Sequence, residues 1–189
     1  MSTAVITEKI QDAAPRARMA GVFYLLTFVT GLFALLVRSR LGSAAGLIAA
    51  ACYVALTLLF YYIFKPVNRK LSLLAALLSL AGCILGPIGL IVHALSRINP
   101  LVFFGIYCLL IGYLIFRSTF LPRILGALMA LAGFGWLTFI WPPLANYLSP
   151  YNMVPGMVGE GALTLWLLLM GVNVQRWKEQ AGTTRESLT

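Results

Sequence analysis

Residues 43–64 read SAAGLIAAACYVALTLLFYYIF, a run with no charged side chain that ends at Lys65-Pro66. About 20 apolar residues carry a helix across the hydrocarbon core of a bilayer. The run is solidly apolar rather than alternating, which argues against a strand of a membrane barrel. Inside lipid every backbone N–H and C=O must be paired within its own segment, so residues 43–64 are predicted to form a spanning helix.

The pattern recurs on both sides. Apolar runs bounded by charge or proline occupy Met19–Val37, Ser43–Phe64, Leu71–Leu95, Leu101–Phe116, Ile124–Trp141 and Met157–Val174. The fourth is short, and its start is expected nearer Ile98. The expected architecture is all-α, a polytopic membrane bundle of six transmembrane helices over residues 19–174. A cytoplasmic segment, 1–18, precedes it, and a polar tail, 175–189, is expected to be disordered. Composition agrees: of 189 residues 61 % are hydrophobic and 10 % charged. A soluble domain carries nearer a quarter charged residues, and a disordered chain has the opposite balance. The first 18 residues lack the apolar core of a secretory signal, and Arg38 and Arg40 follow span 1, which reads as an uncleaved first helix.

The net charge of +9 is explained by where the cations lie. Lys9, Arg16, Arg18, Lys65, Arg69, Lys70, Arg117, Arg123, Arg176, Lys178 and Arg185 fall on one side of a six-span chain. Arg38, Arg40 and Arg97 fall on the other. Short basic connections stay in the cytoplasm, so both termini are predicted to be cytoplasmic. The basic side also suits anionic headgroups of membrane lipids. No aromatic-basic platform accompanies these charges, and nucleic acid is not an expected partner.

Two hairpins resemble each other. Tyr62-Ile63-Phe64-Lys65 precedes Leu74-Ala75-Ala76-Leu77-Leu78, and Tyr113-Leu114-Ile115-Phe116-Arg117 precedes Leu125-Gly126-Ala127-Leu128-Met129. Spans 2–3 and 4–5 would then be parallel repeats about the membrane normal, as in some transporters. Shared Leu/Ala-rich composition explains the likeness equally well.

Small residues at helical spacing mark the faces that meet other helices. They are Thr27, Gly31 and Ala34 on span 1, and Gly42, Gly46, Ala50, Tyr53, Thr57 and Tyr61 on span 2. Span 3 carries Ser72, Ala75, Ser79, Gly82, Gly86, Gly89 and His93. Spans 4 and 5 carry Gly105, Cys108 and Gly112, then Gly126, Ala130 and Gly133, and span 6 carries Glu160, Thr164 and Gly171.

Several segments resemble a bacterial family of six-span membrane proteins, domain-of-unknown-function family 4386. The likeness rests on Ala20-Gly21 with Tyr24-Leu25, on Lys65-Pro66-Val67-Asn68-Arg69, and on Gly159-Glu160 before Leu165-Trp166-Leu167. It is clearest in Gly112-Tyr113-Leu114-Ile115-Phe116-Arg117-Ser118 with Phe120-Leu121-Pro122-Arg123-Ile124-Leu125-Gly126. The connection around Arg38–Gly42 is shorter than the family's usual outer loop. The resemblance implies a multi-pass protein of the bacterial inner membrane and carries no activity with it.

Chemistry has little to work with. The ionisable residues within spans are His93 and Glu160, both on inward stripes and each placed about one turn below the outer surface. They are expected to share an outer-leaflet polar site beside Gly86-Pro87-Ile88-Gly89, where Pro87 predicts a kink or break in span 3. The structural alternative for Glu160 is a helix-dipole contact in the first turn of span 6. For His93 it is a hydrogen bond to a backbone carbonyl. The connection Pro142–Gly156 has four prolines and no charge. Trp141, Tyr147 and Tyr151 suit the membrane interface, with the loop either resting among headgroups or covering the bundle mouth. Cys52, Cys83 and Cys108 read as small apolar packers, and their spacing fits no zinc pattern. No phosphate loop, paired carboxylates, H-E-x-x-H or Ser/His/Asp set occurs, so no cofactor or metal is expected.

Two functions compete. One is a non-enzymatic membrane module that binds a small or lipophilic ligand or a partner protein, in the manner of a small transporter. The other is an embedded lipid-modifying enzyme using His93 and Glu160 as acid and base.

Overall fold

The computed structural model describes residues 13–37, 39–91 and 99–186. Its elements in order are α1 (Ala13–Leu36), α2 (Arg40–Phe64), α3 (Arg69–Ile91), α4 (Leu101–Arg117), α5 (Arg123–Leu137), α6 (Pro142–Leu148), α7 (Val154–Leu169) and α8 (Val174–Glu186). Short 3-10 turns flank α6. No strand occurs among the described residues. Among the described residues four stretches are long and apolar enough to cross a membrane: Arg16–Ala34, Arg40–Phe64, Arg123–Ile140 and Tyr151–Leu169. Helix α4 is apolar but shorter, and α3 runs for 23 residues.

The long helices close a ring. Each packs on its neighbours in chain order, from α1 to α5 and then α7, and α7 returns to pack on α1. Two kinds of contact hold neighbours together. Between α2 and α3, the Thr57 and Ser79 hydroxyls share a hydrogen bond of 2.6 Å. Between α4 and α5 the backbones themselves touch: a Cβ on Gly112 would lie 2.8 Å from the Gly126 carbonyl oxygen, and one on Gly133 2.8 Å from that of Gly105. Side chains that small let dispersion and weak polar contacts act over a whole crossing.

Helix starts and stops differ from the expected spans for local reasons. Helix α4 begins at Leu101, where the Asn99 side chain accepts the Leu101 N–H at 3.0 Å and holds a turn before the helix, and Ile98 lies outside the described residues. The 142–156 connection, expected to rest among headgroups or to cover the bundle mouth, folds into a local cap of short helical turns. Proline suits the first turn of a helix, and Pro142 opens α6. Asn152 is buried beneath the cap and donates to Thr138 Oγ1 at 3.2 Å, while Trp141, Tyr147 and Tyr151 point outward.

The tail after Val174, expected to be disordered, is helical to Glu186. Tertiary contacts supply what its polar composition does not. Trp177 Nε1 donates to the Ile63 carbonyl at 2.9 Å, and Gln180 Nε2 to that of Arg117 at 3.2 Å. Gln180 Oε1 accepts the Thr119 N–H at 3.1 Å, and the Asn173 N–H donates to the Phe120 carbonyl at 3.2 Å. Helix α8 therefore lies across the basic ends of α2 and α4.

The expected stripe of α1 meets α2, where Thr27 Oγ1 donates to the Ala49 carbonyl at 3.5 Å and a Cβ on Gly46 would lie 3.7 Å from that of Ala34, but a second face of α1 is buried more deeply. Gly31 has open space around it and Thr27 and Ala34 are half-buried, whereas Ala17, Ala20, Gly21 and Tyr24 are buried. The reason is the closing contact of the ring: a Cβ on Gly21 would lie 2.8 Å from the Leu168 backbone nitrogen of α7. The stripe of α4, Gly105, Cys108 and Gly112, is buried as its spacing predicts.

Candidate functional site

Helix α7 buries Gly156, Gly159, Glu160, Leu163, Thr164 and Leu167 on one face. Its glycines set how closely it meets α5. A Cβ on Gly156 would collide with the Trp136 indole, and one on Gly159 with the Leu128 carbonyl. Only bare backbone at both positions brings Glu160 within reach of α5.

There the carboxyl group accepts from three other helices. Tyr24 Oη of α1 donates to Oε2 at 2.6 Å, and Trp136 Nε1 of α5 donates to Oε1 at 2.6 Å. Cys108 Sγ of α4 lies 3.9 Å from Oε1 in a weaker thiol contact. Glu160 is 6 % exposed. All three donors are neutral, and indole N–H and phenol O–H suit an acid oxygen without bringing a charge of their own.

Aromatic rings continue the cluster. Tyr24 stacks on Phe28 and meets Tyr53 and Phe60 edge-on, both at 6.0 Å between centroids. Tyr53 in turn meets Phe104 at 5.0 Å and Tyr107 at 6.1 Å. Tyr107 is 1 % exposed, and its hydroxyl has no hydrogen-bond partner among the described residues.

The depth of Glu160 removes one explanation. It lies six steps beyond Val154, the start of α7, or about 9 Å along the axis at 1.5 Å per residue. It is not in the first turn, so a helix-dipole contact does not account for it. Cys108, its neighbour, lies midway along α4. The site sits inside the bundle rather than at its rim. His93, the expected partner, falls outside the described residues. Gly86, Pro87 and Gly89 lie within α3, which stays helical to Ile91. A proline removes one backbone hydrogen bond and does not by itself end a helix that neighbours support.

Tyr24, Trp136 and Cys108 were not expected as partners of Glu160. Each had a signal: Tyr24 follows Ala17, Ala20 and Gly21 at helical steps, and Trp136 continues the Met129, Ala132 and Gly133 face. An aromatic side chain with a polar tip on an inward stripe needs a hydrogen-bond partner there. Cys108 does more than pack.

The family model for a domain of unknown function, DUF4386, matches residues 38–97 and 92–171. The chain belongs to this family. The DUF4386 match takes in Cys108, Trp136 and Glu160, while Tyr24 precedes it. A protein of Archaeoglobus fulgidus described as uncharacterized is 29 % identical over 127 residues, covering 62 % of this chain and 76 % of the relative. No solved structure matches the chain.

Proposed function

We propose that this DUF4386 protein is a six-span protein of the cytoplasmic membrane that binds a small, lipophilic ligand at Glu160 and performs no reaction on it. The observation that carries the reading is the Glu160 carboxyl itself, buried within the ring and approached by donors from α1, α4 and α5. An ionisable side chain inside a membrane is costly and marks a ligand or ion path more often than simple packing. His93 is proposed as a second polar contact of the same site, reached through the outer part of α3.

Full-length protein released from lipid nanodiscs tests this by native mass spectrometry. The wild type is expected to carry a bound small molecule that Glu160→Gln loses while remaining monodisperse. Equal masses bound by both, or none by either, would remove the site from the proposal.

The membrane orientation is supported by the end of the bundle that α8 covers. Arg16 lies 5.7 Å from the Tyr62 ring, and Arg176 Nη1 donates to the Thr119 carbonyl at 3.4 Å. Lys65, Arg69, Arg117 and Arg123 flank the same helix ends. With that end in the cytoplasm, cysteines placed at positions 5, 68 and 185 should resist an impermeant thiol reagent in intact cells, and one at Asn146 should react. Labelling at position 68 from outside would overturn the N-in, six-span arrangement.

A further inference from the structure

We infer that the basic rim around α8 is a docking surface for anionic phospholipid headgroups. The inference goes beyond the Glu160 reading and is independent of it, using only the membrane-spanning reading of the helices. The first observation is where the cations stand. Helix α8 reaches the ends of both α2 and α4 through the Ile63 and Arg117 carbonyls, so it brings its own charges to the two turns that follow. Arg69 and Lys70 open α3, Arg123 opens α5 and Arg176 lies in the first turn of α8, and none of these first turns holds an acid. Arg117 and Lys178 stand beside them, and all six side chains are exposed. The acids of these elements are Glu179, which accepts from the Gln175 amide at 3.4 Å, and Glu186 at the far end of α8.

Orientation alone requires cations near helix ends, not at helix starts, where the positive end of the backbone dipole disfavours them. Asn68 and Asn173 cap α3 and α8 with neutral amide oxygens, and no side chain caps α5. The opposing negative ends of α2 and α4 are covered, because Trp177 and Gln180 donate to their carbonyls. The rim therefore carries a concentrated positive field that an anion relieves. The second observation separates a lipid from a soluble anion. Leu74 and Tyr113 lie one helical turn from Lys70 and Arg117, Ile124 follows Arg123, and all three apolar side chains are exposed. A phosphate held by the cations lays its acyl chains along these side chains, so one molecule satisfies both surfaces. A soluble polyanion would meet the charge and leave the apolar belt unused.

The test titrates full-length protein in a mild detergent with dioleoyl phosphatidylglycerol, dioleoyl phosphatidylcholine or inorganic tripolyphosphate, and reads the bound masses by native mass spectrometry. The wild type is expected to bind the anionic lipid at least about tenfold more tightly than the zwitterionic one, as a few surface cations should provide. Tripolyphosphate should not displace it. Arg117→Gln, Arg123→Gln and Arg176→Gln should each weaken binding of the anionic lipid about fivefold and leave the zwitterionic lipid unchanged. Arg40→Gln, at the opposite end of α2, should change neither. Should the three variants not stay monodisperse, raising the salt severalfold on the wild type serves instead, lowering binding of the anionic lipid alone. Equal binding of the two lipids, an unchanged preference in the three variants or at high salt, an equal loss in Arg40→Gln, or displacement by tripolyphosphate would each overturn the inference. Glu160→Gln should keep the lipid preference, so either reading can fail while the other stands.

Discussion

Gly112→Val is expected to destabilise the bundle by about 3 kcal/mol, the upper end for overpacking a tight interior. The added Cβ would lie 2.8 Å from the Gly126 carbonyl oxygen and 3.0 Å from the Ala130 nitrogen. Both are backbone atoms of α5, so no rotamer change relieves the contact. The two helices must separate, and separation also loosens the matching approach of Gly133 to the Gly105 carbonyl. Thermal melting followed by size-exclusion chromatography measures the loss. Gly161→Ala and Gly31→Ala provide the contrast, because a Cβ at either meets nothing within 4 Å. Their melting temperatures should match the wild type or rise slightly, since alanine favours helix over glycine by about 1 kcal/mol. A Gly112→Val protein that melts with the wild type would mean that α4 and α5 do not cross at these glycines.

Glu160→Ala should cost about 2–4 kcal/mol, because it orphans one buried donor at about 1–3 kcal/mol and one half-buried donor at less. Those donors are Tyr24 Oη and Trp136 Nε1. Glu160→Gln retains one acceptor oxygen and should lose roughly half as much. The informative comparison is a double-mutant cycle. Tyr24→Phe removes the hydroxyl that Glu160→Ala leaves unpaired, so it should be destabilising in the wild type and much less so, or even stabilising, beside alanine. Strictly additive losses would show that the Tyr24–Glu160 hydrogen bond contributes nothing to the fold. The cycle measures stability alone, so it separates the structural work of Glu160 from ligand binding.

How much was legible beforehand depended on the range of the interaction. Apolar runs announce helices from their own residues, and the Gly105, Cys108 and Gly112 face of α4 is written in its spacing. Glu160 stands out because a charge in an apolar run is conspicuous. What it touches does not follow from spacing, since Tyr24 is 136 residues away and meets Glu160 only because α7 packs back on α1. The second face of α1, Ala17, Ala20, Gly21 and Tyr24, was missed for the same reason, because it is decided by where α7 lands. Helix α8 was hidden in a different way. Its residues are polar, and its order comes from the Ile63 and Arg117 carbonyls, acceptors that no reading of residues 174–186 can supply.

The closed ring has a consequence for the order in which the protein is made. On the six-span reading proposed above, ribosomes deliver helices from the N-terminus and α1 to α5 enter the membrane before α7. Tyr24, Cys108 and Trp136 are then already in lipid, with their shared acceptor still to come. The segment that brings it, Tyr151–Leu169, has a mean hydropathy of 1.2, against 2.2 for Arg40–Phe64. A carboxyl near its middle makes unaided partitioning less favourable still. Its insertion and the assembly of the interior are therefore one event: the waiting donors lower the cost of burying the acid, and the acid ends their wait. A nascent chain halted before residue 154 would hold an open arc of helices with a polar seam facing lipid, which makes this last step the natural point for membrane quality control to act.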